Sequence, residues 1–256
     1  MFRFFGFGKR KKKNDNLDPK WNLELAPGLT KKKLWDYYYH YGDELLEDIK
    51  DHPTIVIQVL NNRPILRRKF GETPIKIKKK EAVDDPQDLL YWATRRTVEF
   101  HKVVPDEVDF VIVDIDPGSA VKFQRVRDIA KDLVRLLQAQ TEIKDTEVRF
   151  SGGRGFYVLG YLKEKWPIDR AREWLKNLLR IYMQGKHDLT LHPPSATQVR
   201  LDLSPMKRGG SFRALGSVNL KTGLRSIRVP FEQIDYFRPC YMATVPEAPP
   251  APILKP

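Results

Sequence analysis

Apolar and polar residues alternate along the chain with a period that changes from segment to segment, and the period marks the elements. Thr30 stands where a helix N-cap belongs. Leu34, Tyr37, Tyr38, Tyr41, Leu45 and Ile49 follow at helical spacing, which predicts one helix to about Lys50. Thr54–Leu60 and Ile65–Lys69 read as strands. Asp85-Pro86 opens a second helix with Leu89, Leu90 and Ala93 on its inner side, and His101 is expected as a structural residue ending a helix. Asp109–Asp116 is an apolar strand closed by Pro117-Gly118. Lys122–Gln140 is a helix carrying Val126, Ile129, Ala130, Leu133 and Leu137 on one face. Glu147–Ser151 and Gly155–Tyr161 are strands joined by Gly152-Gly153-Arg154. A helix over Asp169–Met183 and a strand over Val199–Ser204 complete a β-α-β-β-α-β order, the split-βαβ plan in which the first and last strands are neighbours.

Composition narrows the class. Of 256 residues, 41% are hydrophobic and one is cysteine (Cys240), so the chain is globular and carries neither a disulfide framework nor a four-Cys zinc site. A reducing compartment follows. No apolar run approaches the ~18 residues of a membrane span, and Met1–Phe7 lacks the h-region of a signal peptide. The expectation is a cytoplasmic protein without a membrane partner, of archaeal, bacterial, viral or plasmid origin.

The net charge of +13 changes the picture only when divided. Residues 1–20 carry +5 and read as a disordered basic arm, while residues 243–256 are a Pro/Ala-rich tail. Residues 63–80 carry +7, with Arg63, Arg67, Arg68, Lys69, Lys76 and Lys78 as candidate contacts to DNA phosphates. Residues 200–228 carry +6, interleaved with Gly, Ser and Thr, which suits a phosphate cradle better than a solvated helix face.

Two further features bear on chemistry. Asp114 and Asp116 lie two apart on a strand and so share a face with Phe110 and Ile112. An apolar face ending in two carboxylates suits a metal site at the strand's edge, although the same residues read as a polar strand end entering a turn. Asp202, on the neighbouring last strand, shares a face with Arg200. Three carboxylates on adjacent strands can hold two Mg²⁺ or Mn²⁺ ions. The hairpin Ser151-Gly152-Gly153-Arg154-Gly155 lets backbone N–H groups approach a phosphate and adds a guanidinium, or is an ordinary Gly-rich turn. No GxxxxGK[ST], HExxH, GxSxG or CxxC pattern competes.

In order along the chain, Asp114/Asp116, the Ser-Gly-Gly-Arg-Gly hairpin and Asp202 in Arg-Leu-Asp-Leu resemble the three motifs of the archaeo-eukaryotic primase-polymerase superfamily. The resemblance spans about residues 28–238. Gly28–Lys31, Leu34–Tyr38, His52-Pro53, Thr97–His101 and Pro105-Asp106 resemble the polymerase domain of bacterial DNA ligase D. Arg213–Leu224 resembles a run of the small catalytic subunit of primase. The fold implied is α+β: a ferredoxin/RRM-like βαββαβ palm module (106–242) on an N-terminal α/β module (21–105), together one catalytic domain over 21–242.

The activity implied is metal-dependent nucleotidyl transfer on a DNA template, in priming, gap filling or end joining. Asp114, Asp116 and Asp202 would hold two Mg²⁺ or Mn²⁺ ions. Ser151, Gly152, Gly153, Arg154, Gly155, Tyr157, Arg213, Ser217, Asn219 and Lys221 would hold the nucleoside triphosphate. Partners implied are primed DNA, nucleoside triphosphates and a ligase, end-binding protein or primase accessory subunit. Two departures stand out: Tyr157 and Asn219 occupy positions where the family has histidine. Neither carries positive charge at neutral pH, which implies either weaker triphosphate binding or a larger share of it for Arg154 and Lys221. The same departures keep open a non-catalytic nucleic-acid-binding module of this fold. The acids alone also suit a two-metal nuclease, against which the basic run argues.

Overall fold

The computed structural model describes residues 30–50, 52–60, 63–67, 83, 85–94 and 97–246. The basic arm, the tail beyond 246, and Arg68, Lys69, Lys76 and Lys78 lie outside them. Arg63 and Arg67 are described as backbone only.

Thr30 caps the first helix as expected, its Oγ1 accepting from Lys33 N–H at 3.1 Å. That helix, α1 (Lys31–Tyr41), ends at Gly42, and a second, α2 (Asp43–Ile49), begins there instead of one helix running to Lys50. The residue at the break is a glycine for a steric reason. A Cβ at Gly42 would lie 2.4 Å from the Tyr38 carbonyl oxygen and 2.5 Å from Leu89 Cδ2. Tyr37 and Tyr38 on one side of the break and Leu45 and Ile49 on the other thereby all reach one core, while Tyr41, expected in the same stripe, is left partly exposed.

The chain continues through β1 (Thr54–Leu60), β2 (Arg63–Arg67), α3 (Pro86–Thr94) and β3 (Thr97–Val103). The second strand runs from Arg63 to Arg67, and the expected continuation to Lys69 lies outside the described residues. His101 sits on β3, not at a helix end, because Thr97, Val98 and Phe100 belong to a buried strand run. Next come β4 (Glu107–Pro117), α4 (Phe123–Gln138), β5 (Ile143–Phe150), β6 (Phe156–Pro167), α5 (Ile168–Tyr182), β7 (Leu189–Thr190), β8 (Val199–Asp202), β9 (Ser211–Arg213) and β10 (Ile227–Arg228).

These strands build two sheets, β2-β1-β3-β9 and β10-β5-β6-β4-β8-β7. Within the second, β4-α4-β5-β6-α5-β8 is the βαββαβ plan, with β4 antiparallel to both β6 and β8. The short β9 leaves this half of the chain and closes the first sheet against β3. Ala214, Val218 and Leu220 follow it into the core of α1–α3, so packing does not divide the chain at 105/106.

The two faces of the larger sheet differ. Gly160 lies on the face toward α4, where a Cβ would sit 3.3 Å from Leu137 Cδ1. Val111, Val113 and Ile115 of β4 share that face by alternation and are fully buried. Phe110, Ile112, Asp114 and Tyr157 share the other face, toward β9. There the rings of Phe110 and Tyr157 flank Phe212 at 5.9 and 5.7 Å between centroids.

Candidate active site

The site grows from the register of β4. Asp114 lies directly opposite Asp202 of β8 on one side and Tyr157 of β6 on the other, and Asp116 lies opposite Arg200. The three acids therefore share one end of one face. Asp114 is half-buried and Asp116 is exposed. Burial, then the charges of Asp116 and Asp202, push the Asp114 carboxyl up to about 7, against the opposing pull of Arg213 and Arg200.

Carboxylates that repel one another in a half-buried place fit a divalent cation, which would relieve the repulsion. Asp114 and Asp116 are the side chains best placed to hold one. Asp202 is otherwise engaged. Its Oδ1 accepts from Ser204 N–H at 2.8 Å and from Arg200 Nη2 at 2.9 Å, and its Oδ2 accepts from Ser204 Oγ at 2.8 Å. Among the described residues, no group of three His, Cys, Asp or Glu side chains closes on a single point.

The glycine hairpin is pressed onto β4. A Cβ at Gly155 would lie 1.8 Å from the Ile115 carbonyl oxygen, between the two acids, so no other residue fits that position unmoved. Gly152 takes φ +78°, the left-handed region. Ser151 Oγ donates to the Gly155 carbonyl at 3.0 Å and closes the loop. Arg154 is exposed, with Nη2 3.3 Å from the carbonyls of Ser119 and Val121, in the loop after the acids.

The remaining candidates divide into two groups. Lys221, like Arg154, is exposed. Arg213, Ser217, Asn219 and Tyr157 are buried and bonded to protein. Ser217 Oγ accepts from Phe100 N–H at 2.8 Å. Asn219 Oδ1 accepts from the N–H groups of Lys221 and Thr222, at 2.8 and 3.2 Å, forming a tight turn. Tyr157 OH accepts from Arg213 N–H at 3.4 Å, and burial followed by the Asp114 charge raises its pKa.

Glu99, which was not among the candidate site residues, and His101, expected only as structural, tie these together. Glu99 Oε2 accepts from Arg213 Nη2 and pairs with His101 Nε2, both at 2.8 Å, and Oε1 accepts from Leu220 N–H at 2.7 Å. Arg213 Nη1 donates in turn to the Ser151 carbonyl of the hairpin. Burial alone would raise the Glu99 carboxyl, but Arg213, His101 and the Leu220 N–H hold it down at about 2. A second bridge joins α2 to β5: Arg149 Nη1 donates to both Asp48 oxygens at 2.9 Å, and Leu215 N–H reaches Asp48 Oδ2. A buried acid inside an apolar strand run, Glu99 in Thr97–Phe100, was the available sequence signal.

The family model of the LigD primase-polymerase domain matches residues 30–211. The chain belongs to that family. Its fold agrees with a solved structure, the polymerase domain of Mycobacterium tuberculosis ligase D in complex with DNA, at TM-score 0.69 and 17% identity. The match covers 86% of this chain and 88% of that one. No curated protein matches the chain. The primase-polymerase resemblance and the α+β fold expected from sequence therefore both hold. Among the described residues, no helix is long and apolar enough to cross a membrane.

Proposed function

We propose that this LigD-type domain is a DNA-templated nucleotidyltransferase that extends primer strands in end-joining repair. The observation that carries the reading is the register: Asp114 faces Asp202 across β4 and β8, with Asp116 two residues along and the Gly155 backbone packed on the carbonyl of Ile115, the residue between Asp114 and Asp116. Bound Mg²⁺ or Mn²⁺ would supply charge neutralisation at the phosphates and an acidified hydroxyl. Asp114 and Asp116 would hold the cation, and Asp202 would join them on release from Arg200. Arg154 and Lys221, the exposed cations of the hairpin and the basic run, would bind the triphosphate, with the Gly152–Gly155 N–H groups beside them. Arg213, Ser217, Asn219 and Tyr157 would act by fixing that hairpin and turn. The DNA-bound ligase D structure supports DNA as the polymer.

The test is incorporation of labelled nucleotides on a primed template with Mn²⁺. Lack of product under conditions where a ligase D polymerase domain extends would overturn the reading. One observation favours a second reading, a DNA-binding module without catalysis: Asp202 is fully engaged by Arg200 and Ser204, and Tyr157 and Asn219 make internal contacts. That reading expects DNA binding that survives Asp114→Ala with Asp116→Ala and a wild type with no activity to lose.

A further inference from the structure

A groove beside Asp202 has no role in the chemistry described so far. The edge strand β7 pairs with β8 only at Leu189↔Val199 and Thr190↔Arg200. The outer edge of β8 at Leu201 and Asp202 therefore has no strand beside it among the described residues. A cavity of about 480 Å³ takes that place, lined by Arg172, Lys176 and Arg180 of α5 together with Arg200, Asp202 and Lys207.

Its charge is one-sided. Arg200 is neutralised by Asp202 at 2.9 Å, and Lys176 has Glu173 at 3.1 Å. Arg172, Arg180 and Lys207 are exposed and make no ion pair among the described residues. The α5 cations recur at i, i+4 and i+8, so they stand on one helix face. They span ~12 Å at 1.5 Å per residue, and one strand of duplex places a phosphate every ~3.4 Å of axis. Such a row matches three to four phosphates of one strand, and is longer than a single small anion needs.

We infer that this groove grips the phosphate backbone of the strand whose end reaches Asp202. Arg172, Lys176, Arg180 and Lys207 set its path and Asp202 marks its terminus. The inference rests on the proposed function for its polymer, and it assigns that polymer a surface distinct from the 63–80 patch.

The test compares the wild type with the combined variant Arg172→Gln, Lys176→Gln, Arg180→Gln in binding primed duplex across a salt series. Lys144→Gln, Lys163→Gln and Lys165→Gln, three exposed cations of β5 and β6 at the end away from the acids, remove the same charge and serve as the control. Loss of three phosphate contacts is expected to make the plot of log affinity against log salt shallower by about 2 to 3, and to weaken binding at least about tenfold near 0.1 M salt. The control should keep the wild-type slope, and all three proteins the same thermal midpoint. An unchanged slope and affinity in the triple variant would overturn the inference, as would a wild type that binds no DNA. A wild type that binds through this face yet incorporates no nucleotide would leave the groove standing and sink the enzymatic reading alone.

Discussion

Glu99 is the residue whose removal should say most about how the site is held. It is buried on β3 and receives Arg213, His101 and Leu220 N–H at 2.7 to 2.8 Å. Its folded pKa of about 2 lies below the ordinary 4.5, so folding favours the ionised form. At 1.36 kcal/mol per unit, that difference contributes about 3 kcal/mol at neutral pH. The contribution is complete above the ordinary value, about 1 kcal/mol of it is lost by pH ~3.5, and it vanishes as pH falls through the folded value. Glu99→Gln keeps the shape and an acceptor for Leu220 N–H but leaves the Arg213 guanidinium buried without its countercharge. The variant should therefore lose about 3 kcal/mol at pH 7 in urea unfolding. The gap to the wild type should narrow as pH falls from about 5 toward 3. Nucleotide incorporation should fall too, because Arg213 also holds the Ser151 carbonyl of the hairpin. A loss under about 1 kcal/mol at pH 7, or a gap that does not change with pH, would refute the reasoning.

Gly155→Ala places a methyl 1.8 Å from the Ile115 carbonyl, so it should abolish incorporation by lifting the hairpin off β4, with a lowered thermal midpoint as the structural readout. Asp48→Asn removes the carboxylate that joins α2 to Arg149 of β5, which keeps Glu147 as its partner, and should cost about 1.5 to 3 kcal/mol in chemical denaturation. Arg154→Ala and Lys221→Ala, both at exposed positions, should raise the nucleotide KM at unchanged thermal stability.

The elements with long, unbroken patterns were legible in the sequence. The strand at Thr54–Leu60 and the helix opening at Pro86 match the structure, and α4, α5 and β8 fall within about two residues of their expected bounds. The acids were legible because alternation puts 114 and 116 on one face and the split-βαβ order puts the last strand beside the first. Strands of two or three residues, β7, β9 and β10, carry no period to read, and β9 crosses to the other sheet through tertiary pairing alone. The glycine at the break fits Leu89, a residue 47 positions away, packed over it, which no local pattern shows. The candidate nucleotide ligands came from the glycine hairpin and the last basic run, and burial sorts them. Arg213 and Ser217 turn inward to Glu99 and to the Phe100 N–H, whereas Arg154 and Lys221 stay exposed. A linear reading sees the charge of Arg213 and not the carboxylate that faces it from β3.

The most direct measurement is single-nucleotide incorporation on a primed template with Mg²⁺ or Mn²⁺, made on the wild type and on Asp114→Asn and Asp116→Asn, with DNA affinity recorded alongside. If these carboxylates are the chemical centre, the wild type incorporates nucleotide, and each variant loses about a hundredfold or more of the rate while DNA affinity is kept, the several kcal/mol that a metal's charge supplies. Variants as active as the wild type, or a wild type that binds DNA and incorporates nothing, would contradict it.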